Sequence, residues 1–258
     1  MLNLAVSNFM NSETTYWLFI LLLFAVAFFY SSVGHGGASG YLALMALFGM
    51  APAVMKSSAL LMNICVSLIS FIHYYRGGHF KWKLFFPFAI TSVPASFLGA
   101  LVTVDANLYK KILGALLLFP ILRLLGVFGK ESDEMKSLNL IVALILGASI
   151  GFLSGMIGIG GGIILSPIIL LFHWAKMKET AAISALFIFV NSISGLAGLF
   201  SKGLSIDTSV YLWIAVTLAG GFAGAYLGSR KIQSPVLKKI LAFTLLLASI
   251  KLLFTGTK

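Results

Sequence analysis

Ten apolar stretches, most of them about twenty residues long, constrain this 258-residue chain more than any other feature. They fall at about 16–33, 38–50, 53–75, 84–104, 106–128, 138–157, 161–174, 180–201, 208–228 and 235–254. Roughly 20 apolar residues are what an α-helix needs to cross the hydrocarbon core of a bilayer. Two stretches, 38–50 and 161–174, are too short for that, and each follows a cluster of glycines. Composition points the same way, with 60% hydrophobic and 10% charged residues, against roughly 45–50% and about 25% in a soluble domain. Such a chain lacks the polar surface to cover a water-soluble core. The same figures exclude disorder, a collagen-like repeat and a small disulfide scaffold. The reading is an all-α integral membrane protein, multi-pass, of the cell (inner or plasma) membrane. No signal peptide is expected. The first fifteen residues hold no Lys or Arg, and the run from Tyr16 to Val33 continues past Ala25-Val26-Ala27, the only cleavage-like triplet. The single cysteine, Cys65, cannot form an internal disulfide.

The chain repeats itself. Ser31-Ser32-Val33-Gly34-His35-Gly36-Gly37 lines up with Gly155-Met156-Ile157-Gly158-Ile159-Gly160-Gly161 at an offset of 124. Ser58-Ala59-Leu60 matches Ser184-Ala185-Leu186 at 126, Phe97 with Gly99-Ala100 matches Phe222 with Gly224-Ala225 at 125, and Lys110-Lys111-Ile112-Leu113 matches Lys238-Lys239-Ile240-Leu241 at 128. Matches in order at a nearly constant offset imply two copies of a five-segment unit, 1–128 and 138–258. Between them, 129–137 is a charged linker holding Lys130, Glu131, Asp133, Glu134 and Lys136.

The formal charge of +11, from 18 Lys/Arg and 7 Asp/Glu, would suggest nucleic acid in a soluble protein; here it reads as positive-inside loops with no nucleic-acid partner. If every segment crosses, or if each short one pairs with its predecessor as a re-entrant hairpin, the two repeats come out inverted. One side then holds Arg76, Lys81, Lys83, Arg123, Lys130, Lys136, Lys176, Lys178, Arg230, Lys231, Lys238 and Lys239, and the other Lys56, Lys110, Lys111, Lys202, Lys251 and Lys258. Parallel four-span repeats would divide the same residues evenly. The bias favours inversion, a cytoplasmic linker and termini outside the cytoplasm.

Inverted repeats with broken or short helices in matching positions point to a transporter's substrate site. Here the matching positions are Gly34-His35-Gly36-Gly37-Ala38-Ser39-Gly40 and Gly158-Ile159-Gly160-Gly161-Gly162. Glycine lets the backbone leave helical geometry. The short helix that follows starts with unpaired N–H groups at its positive dipole end, a natural anion site. Inversion would aim two such ends at one another near the midplane. Scattered glycines such as Gly99, Gly147, Gly220, Gly221 and Gly224 read instead as helix-packing positions. Candidate side-chain donors are Ser31, Ser32, Ser39, Ser154 and Ser166, with Asn63 and Asn191 in roughly matching places on the following helices. For each serine alone, a bond back to its own helix is the simpler expectation.

His35 is the titratable residue within a cluster. It could pair with an anion as imidazolium, or as neutral imidazole donate one bond or take up a coupling proton. His73, His79 and His173 lie near segment ends and form no metal set. Lys56, Arg76, Lys81 and Lys83 read as interfacial anchors, and Trp17, Trp82, Trp174 and Trp213 as an aromatic belt. Glu13, Asp105, Glu179 and Asp207 all sit near segment ends. A cation site or acid-based proton relay would put a carboxylate within a span, so the cargo is expected to be an anion.

The run Gly158-Ile159-Gly160-Gly161-Gly162-Ile163-Ile164-Leu165-Ser166-Pro167, after Gly151-Phe152-Leu153-Ser154-Gly155, resembles the signature of the TauE/SafE membrane transporters, the toluenesulfonate uptake permease or sulfite exporter family. The resemblance extends over length, two repeats and a glycine cluster opening each. In the first copy His35 replaces a small or apolar residue, Ala38 stands in place of a third glycine, and Ala43 aligns with Pro167. The resemblance implies transport of sulfur-containing anions such as sulfite, thiosulfate, sulfoacetate or other organosulfonates. The expected substrate site comprises Gly34, His35, Gly36, Gly37, Ser39, Asn63, Gly158, Gly160, Gly161, Gly162 and Asn191, with the lipid bilayer as the other partner and no catalytic residue, cofactor or metal. The alternatives are an anion channel and a membrane assembly or interaction protein without transport. Ser154-Gly155 only loosely resembles an intramembrane serine protease, lacking a glycine two before the serine.

Overall fold

A computed structural model describes residues 13–32, 35–125, 135–203, 206, 208–230, 245–246 and 249–254. Its helices are α1 (Glu13–Ser32), α2 (Ala38–Leu47), α3 (Pro52–Arg76), α4 (Trp82–Leu101), α5 (Ala106–Leu116), α6 (Leu118–Leu124), α7 (Leu140–Ile157), α8 (Gly162–Leu171), α9 (Met177–Phe200) and α10 (Ser209–Arg230). Positions 245–246 and 249–254 are also helical, and the described residues contain no strand. Six helices, α1, α3, α4, α7, α9 and α10, are long and apolar enough to cross a membrane. Leu21, Ile90, Ile141, Ile145 and Phe222 on their outer faces are each more than half exposed, a surface suited to lipid rather than water. The chain is a multi-pass helical membrane protein.

Local chemistry sets the helix ends. Pro52 opens α3, where its missing N–H costs nothing. The Asp105 carboxylate accepts from the N–H groups of Asn107 and Leu108, both at 3.0 Å, to start α5. One expected segment, 106–128, is interrupted: α5 stops at Leu116 and α6 begins at Leu118. The interruption precedes Pro120, which has no N–H to donate to the Leu116 carbonyl. The segment at 235–254 lies largely outside the described residues, as does most of the charged linker.

Helix directions follow from which residues meet. On α7, Gly147, Gly151 and Gly155 stand in turn against the carbonyls of Phe88, Ser92 and Ser96 on α4, so the two helices run side by side in the same direction. Gly220 and Gly224 of α10 stand likewise against Phe24 and Phe28 of α1. Small residues four apart let backbones approach this closely, as expected for these glycines. Between the two pairs lie α3 and α9, packed antiparallel: Tyr74 meets Ala181 and Ala182, Asn63 meets Ser192, and Leu60 meets Gly195. α9 follows α4, with Asn191 at Ser92 and Gly198 at Phe97. α3 follows α1, with Ser70 at Ser31 and Tyr74 at Ser32. Three long helices therefore run one way (α1, α3, α10) and three the other (α4, α7, α9).

The short helices fold back halfway. Ser39 of α2 bonds Tyr30 of α1, and at the other end Phe48 meets Phe19 with ring centroids 5.2 Å apart. α8 returns along α7 in the same manner, from Gly161 beside Ile150 to His173, whose carbonyl accepts from the Lys136 N–H at 2.9 Å.

One face of the bundle collects the ends of α1 and α3 and the starts of α4, α7 and α9, with Arg76, Lys81, Lys83, Lys136, Lys176 and Lys178. The other collects the starts of α1, α3 and α10 and the ends of α4 and α9, with Lys56, Lys110, Lys111, Lys202 and Lys251. On the first face Lys81 Nζ pairs with Glu179 at 2.8 Å. Lys251 Nζ donates to the last carbonyls of α2, Ala46 at 3.2 Å and Leu47 at 2.8 Å, where a cation suits the negative end of the helix dipole.

Two expectations need correction. Trp17 and Trp82 are outward, but Trp174 and Trp213 are buried, Trp213 against Phe19 with centroids 5.1 Å apart. Lys56 is not an interfacial anchor: it is 8% exposed and turned into the bundle.

Candidate functional site

The two glycine clusters leave helical geometry by different amounts. In the second, Gly158, Gly160 and Gly161 have φ of +90°, +71° and +76°; in the first, Gly37 has +97°. That region is open to glycine and strained for other residues. Neither α2 nor α8 has a side-chain cap at its N-terminus, so first-turn N–H groups depend on what lies in front of them.

In front of them lies Asn63, fully buried near the middle of α3. Its Oδ1 accepts from the Ala38 N–H, the first of α2, at 3.0 Å. Its Nδ2 reaches the Ile159 carbonyl and Ser192 Oγ, both at 3.5 Å, the long limit of such bonds. A methyl carbon added at Gly36 would lie 2.5 Å from Asn63 Oδ1 and 3.0 Å from Ile188 Cγ2. One added at Gly160 would lie 2.6 Å from Asn63 Nδ2 and 2.8 Å from the same Ile188 carbon. Both loops thus press on one pair, Asn63 of α3 and Ile188 of α9, at mid-height of the bundle.

His35, 1% exposed, ties the first loop to the second short helix. Its Nε2 lies 3.0 Å from Ser166 Oγ of α8, and Ser166 lies 2.5 Å from Ser184 Oγ of α9. Ser166 Oγ also lies 2.8 Å from the Gly162 carbonyl, so three polar partners surround its single hydroxyl proton. Between the loops is a cavity with room for about one water. Tyr30, His35, Ser39 and Asn63 form its polar wall, and Ile159, Ile163 and Ile188 its apolar wall.

Of the expected site residues, His35, Gly37, Ser39 and Asn63 line this cavity, and Gly36 and Gly160 press on Asn63 and Ile188 in its wall. Gly161 and Gly162 open α8 beside it, Gly162 against Ile188 and Ser184. Gly158 lies further off, on Lys56, and Gly34 lies outside the described residues. Asn191 faces away: its Nδ2 donates to Ser92 Oγ at 3.0 Å and to the Phe187 carbonyl at 2.8 Å. Ser32 donates back to the Phe29 carbonyl of its own helix, as expected of a single serine, whereas Ser31 bonds across the bundle to the Gly221 carbonyl of α10 and Ser70 Oγ of α3. The described residues contain no group of three or more His, Cys, Asp or Glu that could hold a metal.

The model of the Sulfite exporter TauE/SafE family matches residues 18–252. The chain belongs to this family. A probable membrane transporter protein of Sinorhizobium fredii, y4hK, is 36% identical over 238 residues, 91% of this chain and 96% of its own length. The probable membrane transporter protein YdhB of Bacillus subtilis is 27% identical over 248 residues, covering 92% and 100%. No solved structure matches. This TauE/SafE protein is a membrane transporter.

Some residues at the transporter's candidate site carry no motif. Ile188 was detectable by arithmetic, because Asn63 plus the repeat offset of 125 seen at Phe97 and Phe222 falls on it. Tyr30 and Ser192 gave no signal. Four buried hydroxyls among the described residues have no partner, and two of them, Tyr41 OH and Ser154 Oγ, lie beside the glycine loops. The Tyr41 hydroxyl lies 2.6 Å from where a Cβ of Gly37 would be, and Ser154 flanks Gly161. Each glycine loop therefore has an unspent donor beside it.

Proposed function

We propose that this TauE/SafE protein is a secondary transporter of a small sulfur-containing oxyanion, bound between the two glycine loops and passed by alternating access. The observation that carries the reading is the meeting of the two glycine loops, each opening a short helix whose N-cap residue offers no side-chain bond, at Asn63 and Ile188 halfway through the bundle. Opposed positive dipole ends, neutral donors and no acidic side chain suit an anion. Non-helical backbone at that depth is tolerated where it lines such a cavity. The helix directions support inverted repeats, since α1 and α3 run opposite to their counterparts α7 and α9, and α4 runs opposite to α10. The larger share of basic residues on the first face supports a cytoplasmic position for it. A sulfite ion has four heavy atoms and the cavity admits about one water, so loading requires the two loops to part; that is the motion alternating access needs. Sulfite, thiosulfate, sulfoacetate and other organosulfonates are the proposed cargo class.

The test is a panel of sulfite, sulfate, thiosulfate, sulfoacetate, taurine and an arylsulfonate, measured by binding and by uptake into liposomes holding the purified chain. Saturable, selective uptake of a sulfur anion is expected. Gly36→Ala, which adds a methyl against Asn63 without a positive φ to strain it, should weaken binding at least about tenfold in a protein that still folds. Flux that never saturates would make the protein a channel. Absence of binding across the panel would overturn the anion reading.

A further inference from the structure

The reading above leaves one buried cation unused. Lys56 is 8% exposed, in the first turns of α3 on the second face. Its ammonium makes one marginal hydrogen bond, to the Ala100 carbonyl at 3.4 Å, although it carries three donors. No carboxylate pairs with it among the described residues, where the one salt bridge joins Lys81 and Glu179. A buried ammonium left this way is costly unless an anion completes it.

Its position gives that anion a direction. Lys56 and Asn63 are seven residues apart on one helix, which is two turns, the same face and about 10 Å of rise. The Lys56 side chain also packs beneath the second loop: a Cβ at Gly158 would lie 2.9 Å from its Cγ. Nearer the surface, the exposed Lys202 ammonium binds the Leu101 carbonyl at 2.9 Å and Thr103 Oγ1 at 2.7 Å. Two cations thus share the C-terminal carbonyls of α4, one outside and one inside.

We infer that Lys56 is a second anion-binding station, occupied by a small oxyanion between the second face and the Asn63 site. The inference rests on the anion reading of that site. Lys202 draws the anion to the mouth, Lys56 holds it once water is lost, and the Gly158 loop above Lys56 separates it from Asn63. The shared chemistry is that of any oxyanion, so a lipid phosphate at the second face is the competing source.

The experiment uses the full chain in oriented vesicles of phosphatidylcholine, with and without phosphatidylglycerol, and sulfite and sulfoacetate as probes. Lys56→Gln should raise KM about tenfold for anion supplied at the second face and leave KM at the first face unmoved, in both lipids. An unchanged KM at both faces would overturn the station, while Asn63→Leu reports separately on the midplane site. An effect confined to phosphatidylglycerol vesicles would make the headgroup the ligand and overturn it too. Lys56→Met, melted in detergent without anion, should be at least as stable as the wild type, because an incompletely paired buried charge is gone. A clear fall in melting temperature would mean that the Ala100 contact is structural.

Discussion

Asn63 is the residue on which both halves of the molecule converge, and its amide is used at both ends: Oδ1 caps α2 and Nδ2 reaches the second glycine loop and α9. Leucine has the same branched heavy-atom skeleton with neither function. Asn63→Leu should leave the Ala38 N–H without its acceptor, a loss of about 1–3 kcal/mol, and weaken anion binding at least about tenfold. Binding at wild-type strength, by calorimetry on purified protein, would remove the amide from the site. The residue was legible as a lone amide in an apolar run. Its partner was not. Asn191 is the nearest like residue in the second repeat, but it lies three positions past Ile188, which turns a helical side chain about 60° and advances it by roughly 4.5 Å. That rotation takes it off the loops and onto Ser92.

Helix by helix, glycine spacing determined much of the packing. Gly147, Gly151 and Gly155 repeat every four residues along the face of α7 that lies on α4, and a methyl at Gly151 would overlap the Ser92 carbonyl. Gly151→Val should force α4 and α7 apart and destabilise the protein by more than about 2 kcal/mol, read as a lowered melting temperature in detergent. An unchanged melting temperature would mean that these two helices do not depend on contact at that point. The six long helices and both short ones were readable from apolar run length, since a bilayer imposes a length that water does not. The break at Leu117 leaves no mark in hydropathy, because Pro120 sits within the apolar stretch 112–122. Hydropathy also could not sort the tryptophans: Trp213 is near a segment end in sequence but faces Phe19 inside the bundle, and facing depends on neighbours rather than depth. The inward turn of Lys56 escaped notice for the same reason.

For the whole molecule, orientation in the membrane is the open quantity to measure. In a Cys65→Ser background, a cysteine at Ala106 on the second face should react with an impermeant maleimide added to intact cells, and one at Lys83 on the first face should not. The reverse pattern would invert the proposed topology. The charge distribution favours inverted repeats without placing the short helices; the depth to which α2 and α8 return became visible only with their contacts to Asn63 and Ile188.

The unlike pair at the centre has a consequence for the transport cycle. A carrier made of two identical halves, inverted about a midplane axis, has two open states that are images of each other and therefore equal in energy. Under the proposed alternating access, one half would offer the cargo an amide and the other an isoleucine. That difference, among others between the repeats, would lift the equality, so the empty protein would have a preferred side on which to wait.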